Sequence, residues 1–251
     1  MTQIEKLLKR TKELESILVK NGISLEVEDK IPSYRYSQIS YNQLQDIVDI
    51  KESFDDNIFD EWFGYEYKLL DEDVEFLSKL INKFIKVMRR FKEESLKVLF
   101  IAPVLNRVDF FSMQNRFTGL YDEPLTYKSE KFILNGETDF MFARGLSQAE
   151  KPYFFIQEFK QEKGSSEPEP QLLAELISAV ELNNQNIIKG SYIKGSIWRF
   201  VILKRLKKHH YEYFVSANFD SSKIEDLKGI FKNLMFVKNE VIETIGRNID
   251  E

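Results

Sequence analysis

Gly136-Glu137-Thr138-Asp139-Phe140-Met141-Phe142 and, a little further on, Pro152-Tyr153-Phe154-Phe155-Ile156-Gln157-Glu158-Phe159-Lys160 decide how this chain is read. Both are short apolar runs rich in aromatic residues, the composition of buried strands. Each carries an acid at one fixed place, and in the second run a lysine follows the acid by two residues. Successive side chains of a strand point to opposite faces, so Glu158 and Lys160 share a face while Phe159 takes the other. A charge inside such a run must be paired or liganded. The two acids and the lysine are therefore read as a metal site.

The rest of the composition narrows the chemistry. The chain has 251 residues, 43% of them hydrophobic and 14% aromatic, enough for a substantial core. Charged residues make up 31%, and the net charge is −5. A polyanion would have to meet a local basic patch, or a metal that inverts the local field. There is no cysteine, which removes disulfides, thiolate zinc sites and thiol nucleophiles and fits a reducing cytoplasm. The only histidines are His209 and His210, at the end of the basic run Lys204-Arg205-Leu206-Lys207-Lys208-His209-His210. They are expected in a solvated turn, which removes histidine-dependent acid–base chemistry and histidine-rich zinc sites. The longest apolar run, Val98–Leu105, contains Pro103 and is far too short to span a membrane. The charged N-terminus carries no secretory signal. A cytoplasmic protein without a membrane partner is expected.

Working outward, residues 2–20 predict a helix, with Ile4, Leu7, Thr11, Leu14 and Leu18 on a narrow seam and Asn21-Gly22 as its stop. The seam suits a homodimer; packing against the same chain is the commoner outcome and is expected. Residues 23–70 predict loops with short helices. Leu70–Lys92 is plainly helical, with acids at its start and Lys86, Arg89, Arg90 and Lys92 at its end, which simple helix-end electrostatics explains. A strand is expected over Leu96–Val104, then a polar connection with its own hairpin over 106–130, and Lys131–Leu134 leads into the first motif. Residues 144–152 predict a turn between the two motif strands. After a polar Gln161–Pro170 segment, Gln171–Leu182 predicts a helix apolar on most sides, hence buried against a sheet. Its polar residues Gln171 and Glu175 are four apart on one face. Two strands (192–204 and 211–217) joined by the basic turn and a final helix (221–246) complete the order. The expectation is an α/β fold with a central mixed sheet flanked by helices. The divisions expected are a mostly helical extension at 1–69 and a main domain at 70–251.

With the motif strands side by side, Asp139 and Glu158 reach one point at the sheet edge. Carboxylate oxygens there suit Mg²⁺ or Mn²⁺. Such a cation polarises phosphorus and lowers the pKa of an attacking water. Lys160 beside it orients that water or stabilises the charge developing on phosphorus. Gln171 or Glu175 is placed to hold the same water or a metal-bound one. This set hydrolyses phosphodiesters without cysteine or histidine. A phosphate loop at Gly190–Ser196 is rejected for want of its Lys-Ser/Thr ending.

The order of an Asp, a Glu-x-Lys at a strand end and a Gln-bearing helix resembles the PD-(D/E)XK nuclease superfamily, the restriction-endonuclease-like fold. The second motif, Glu158-Phe159-Lys160, is intact, whereas the first reads Glu137-Thr138-Asp139 instead of Pro-Asp. The helix through Asn183 and the Gly-rich, Trp-bearing stretch Ile188–Phe200 are also similar to several bacterial members. The resemblance covers roughly residues 70 to 235. It implies Asp139 and Glu158 as metal ligands, Lys160 as the catalytic lysine and Gln171 as a helix-borne accessory residue, with Mg²⁺ or Mn²⁺ as cofactor and DNA as partner. Many members add an acid from the first core helix, for which Glu75, Glu93 and Glu94 all qualify here. It also implies an alternative, since some relatives keep the fold and lose catalysis, serving as nucleic-acid-binding or assembly modules.

Overall fold

The computed structural model describes residues 3–21, 31–163 and 167–247. The chain divides into two compact units, Met1–Pro32 and Ser33–Glu251. The first contains the expected helix, α1 (Gln3–Lys20). Gly22, expected as its stop, and the Gly164-Ser165-Ser166 tip lie outside the described residues.

The second unit is an α/β body. It runs β1 (Ser33–Arg35), α2 (Tyr41–Ile47), β2 (Asp49–Glu52), α3 (Asp60–Phe63), α4 (Asp71–Phe84), α5 (Glu93–Leu96), α6 (Ala102–Val108), β3 (Phe111–Ser112), β4 (Phe117–Lys128), β5 (Ile133–Arg144), β6 (Glu150–Lys160), α7 (Pro168–Asn183), β7 (Ile187–Lys194), β8 (Ile197–Lys207), β9 (His210–Val215), β10 (Phe219–Asp220) and α8 (Ile224–Arg247). One mixed sheet takes the strands in the order β2-β9-β8-β7-β6-β5-β4-β3, with β1 alongside β5 and β10 alongside β8. β6 and β7 are parallel and joined through α7; most other neighbours are antiparallel. Among the described residues no helix is long and apolar enough to cross a membrane.

Alternation along the strands sorts the core into two layers. Phe140, Phe142, Phe155, Phe159, Phe200 and Phe214 point to one side and pack with apolar residues of α4, α6 and α8. Met141, Ile156, Tyr192, Val201, Leu203 and Tyr213 point to the other and pack on α7. That helix is buried continuously from Gln171 to Val180. Gly190 allows the close approach: a Cβ there would stand 2.9 Å from Leu176 and 2.8 Å from the Ile156 carbonyl oxygen.

Several expectations are corrected. Leu96–Val104 is helical, not a strand: α5, a π-helical turn (Lys97–Ile101) and α6 follow one another without a break. A short apolar run is compatible with either structure when it is buried, and Pro103 falls where the π-helical turn gives way to α6. The strand expected at 192–204 is two strands, because Gly195 adopts φ +63° and reverses the chain between β7 and β8. The polar connection at 106–130 does hold a hairpin, β3 with the twelve-residue β4. His209 is docked and not solvated: its Nε2 lies 2.8 Å from the Tyr127 hydroxyl and its ring packs on Phe132. This contact ties the β4–β5 hairpin to the β8–β9 hairpin.

The compact body begins at Ser33, not at residue 70. β1 pairs with β5, β2 pairs with β9, and Trp62 is buried among Phe155, Phe200 and Phe236 with its indole N–H donating to the Asn233 carbonyl oxygen. Trp62→Ala is expected to lower the stability of the body by about 3–5 kcal/mol. A urea midpoint unchanged by that substitution would show that 33–69 is an appendage after all.

Candidate active site

The site grows from the place where the sheet divides. β5 and β6 pair antiparallel as far as Phe140 opposite Gln157. There the ladder ends, with Asp139 and Glu158 next in the two strands. β6 goes on beside β7 through Lys160 opposite Lys194, while the first residues of β5 run beside β1. At this fork the backbone N–H of Phe159 donates to Asp139 Oδ2 at 2.7 Å. Asp139 thus substitutes for a strand that has moved away.

Glu158 and Lys160 share the α7 side of β6, as strand alternation requires. Glu158 is fully buried, and its Oε1 accepts a hydrogen bond from the Lys160 ammonium. Lys160 also donates to the Phe159 carbonyl oxygen at 3.2 Å and lies 3.7 Å from Glu93 Oε1. Of the three acids left open by sequence, Glu93 is therefore the one beside the site. Glu75 is exposed on α4 and paired with Lys79, and no contact joins Glu94 to the cluster among the described residues.

α7 closes the cluster from above the sheet. Glu175 is fully buried and Gln171 nearly so, and the Gln171 amide donates to Glu175 Oε1 at 3.1 Å. Gln171 thus reaches the site through Glu175, one rank behind the strand residues. Glu175 is the more central of the two. Its signal in the sequence was an acid in the middle of a helix otherwise apolar on nearly every side.

The electrostatics follow from burial. Burial pushes Glu158 well above the ordinary carboxyl range; Glu175 and Asp139 add to this, and Lys160 opposes it. Burial likewise raises Glu175, with Asp139 adding to the shift. Burial alone would lower the Lys160 ammonium, but Glu158, Asp139 and Glu93 outweigh it and hold it above its usual value. A charged Lys160 needs an anion in contact, whereas Glu158's own shift favours a proton. Contact decides between them. The ammonium sits on Glu158, so Glu158 is the anion, and the surplus proton belongs on Glu175, which has no ion pair among the described residues.

Within this cluster two buried atoms have no hydrogen-bond partner among the described residues: Glu158 Oε2 and Glu175 Oε2. An orphaned buried carboxylate oxygen is expensive and points to something that binds there. Among the described residues no group of three or more His, Cys, Asp or Glu side chains is arranged to hold a metal ion. The free oxygen of Glu158 beside Asp139 nevertheless fits a hard divalent cation in donor type.

Glu175→Gln should stabilise the metal-free protein at neutral pH. Because its folded-state pKa is raised, Glu175 destabilises the folded chain once the pH passes 4.5, increasingly so as the pH climbs toward the folded value. Urea melts in a chelator should show the variant ahead of wild type at pH 8 and level with it near pH 4.5. A variant no more stable at pH 8 would refute this electrostatic assignment.

No protein-family model matches this chain, and no curated protein does.

Proposed function

We propose that the Ser33–Glu251 body is a divalent-metal-dependent nuclease of the PD-(D/E)XK kind, with a restriction-endonuclease-like core, hydrolysing phosphodiester bonds of DNA. One observation carries this reading. Asp139, Glu158 and Lys160 meet at the fork between β5 and β6 with Glu93 and Glu175 against them, and a Glu158 oxygen is left without a partner. Such a set spends stability on charges that a core does not need.

In this reading Asp139 and Glu158 hold the cation, Mg²⁺ or Mn²⁺. When bound, it supplies Lewis acidity toward a phosphate oxygen and a lowered pKa for water. Lys160, kept cationic by the surrounding acids, faces the negative charge that builds on phosphorus as water adds and the bond to the leaving oxygen breaks. The Phe159 N–H fixes Asp139, so that this carboxylate is positioned before substrate arrives. Gln171 fixes Glu175, whose carboxyl tunes the charge of the pair below it. Glu93, at the mouth, holds Lys160 from the solvent side.

A second reading, a member of the fold that binds without cutting, is favoured by the Lys160 contact that already occupies one Glu158 oxygen. The two readings part experimentally. Purified protein with Mg²⁺ or Mn²⁺ is expected to nick or cut plasmid DNA, and Asp139→Ala, Glu158→Ala and Lys160→Ala are each expected to lose more than about 100-fold in rate. Glu75→Ala should cut as wild type does. Undiminished cleavage by Glu158→Ala or Lys160→Ala would sink the mechanism. No cleavage, with a melting midpoint unmoved by millimolar Mn²⁺, would favour the non-cutting reading.

A further inference from the structure

α4 stops at Phe84, and the cations expected to decorate its last turn lie beyond it. Lys86, Arg89, Arg90 and Lys92 fall in the connection to α5, which is anchored by buried Met88 in a single 3₁₀ turn, Met88–Arg90. All four are exposed, and none forms an ion pair among the described residues. Nearby Lys97, by contrast, is committed to Asp122.

Helix-end electrostatics accounts for Lys86, just past the end of α4, but not for the other three. Lys92 is the N-cap of α5, and Arg89 and Arg90 come just before it. Three cations therefore stand at the positive end of a helix dipole, where anions are favoured. In a chain of net charge −5, an uncompensated group of four within seven residues is a local exception. It does not stabilise the fold in any way the contacts reveal.

Its position gives it a use. Lys92 is next to Glu93, whose carboxylate is 3.7 Å from the Lys160 ammonium. A residue of extended chain covers at most about 3.6 Å, so Arg89 lies within roughly 14 Å of Glu93 along the backbone. Phosphates of one strand of a duplex recur about every 3.4 Å along the helix axis, so this reach covers a few of them. Phosphates flanking a bond held at Lys160 would pass over this connection.

We infer that the connection Lys86–Lys92 is a backbone clamp for DNA, Arg89 and Arg90 neutralising phosphates beside the bond presented to Glu158 and Lys160. The inference rests on the nuclease reading for its ligand, but its contacts are charge on charge and need no metal. Being exposed side chains without a shaped groove, they hold phosphates without reading sequence. Ile85 and Val87, exposed in the same stretch, would also suit a lipid surface. Contiguity with the acids at the fork favours the nucleic acid.

The test is binding of the full chain to a short fluorescent duplex of mixed sequence in chelator, so that cutting plays no part. Arg89→Glu/Arg90→Glu is expected to weaken binding at least about tenfold at low salt and to lower the slope of log affinity against log salt by about two. Lys207→Glu/Lys208→Glu, at the exposed β8–β9 tip, should bind as wild type. Unchanged affinity and slope in the Arg89/Arg90 variant, with its melting midpoint preserved, would overturn the clamp. So would binding that follows Lys207 and Lys208, or an Arg89/Arg90-dependent attachment to phosphatidylserine vesicles with DNA binding unaffected. Loss of DNA binding in the variant alongside a wild type that never cuts would keep the clamp and reject the nuclease.

Discussion

Everything in the body depends on burying α7 from Gln171 to Val180. Leu172, Leu173, Leu176, Ile177 and Val180 are fully buried against the sheet, each worth about 1.5–3 kcal/mol relative to exposure. β6 and β7 flank the helix because it is the connection between them. Tyr36 reaches it from the start of the body, donating from its hydroxyl to Ser178 Oγ at 2.8 Å. Glu181, at the other end, accepts from the Tyr211 hydroxyl and from Arg205. A helix so enclosed cannot send its polar side chains to water. Glu175 must therefore find its partners inside, where the charges of Asp139 and Lys160 act on it and Glu158 lies with them.

The fork in the sheet is the second half of the same constraint. If β5 and β6 stayed paired beyond Phe140 and Gln157, the Phe159 N–H would have a strand to bond and Asp139 would be free to turn away. Divergence leaves that N–H to Asp139, and this fixes a carboxylate next to Glu158. Like charges so placed repel, and burial strengthens the repulsion. Lys160 relieves part of it and protonation of Glu175 another part. The unpartnered oxygens of Glu158 and Glu175 mark the remainder. A cluster of this kind weakens the apo fold; a divalent cation between the acids would relieve it, which is the physical content of assigning a metal there.

What the sequence disclosed follows from which patterns are local. Glu158 and Lys160 on one face needed only the two-residue period of a strand, and Gln171 with Glu175 only the turn of a helix. Asp139 facing Glu158 depended on a hairpin whose two strands could be read separately. The choice of Glu93 over Glu75 and Glu94 was not legible, because its helix continues into Leu96–Val104, where apolar residues run almost unbroken and show neither period. The division at Gly195 was hidden for a similar reason: β7 and β8 are both apolar and their turn is two residues long. Residues 33–69 contribute strands of three and four residues, too short for any period, and their membership shows only in pairing with β5 and β9. His209 was misjudged because its partners, Tyr127 and Phe132, are some eighty residues away.

The same distinction bears on the basic connection. Read as sequence, Lys86, Arg89, Arg90 and Lys92 extend a helix that begins with Asp71, Glu72 and Asp73, and opposite charges at opposite ends are what a helix dipole selects. The structure ends the helix at Phe84, and this reverses the sign of the explanation for three of the four. A charge that stabilises nothing within the chain is free to meet one outside it. Its neighbour in space is a cluster of acids that a phosphate could approach only if its own charge were met nearby. A lysine held by three carboxylates is one such charge. Cations on the adjoining connection supply the rest without adding to the burial that already strains the site.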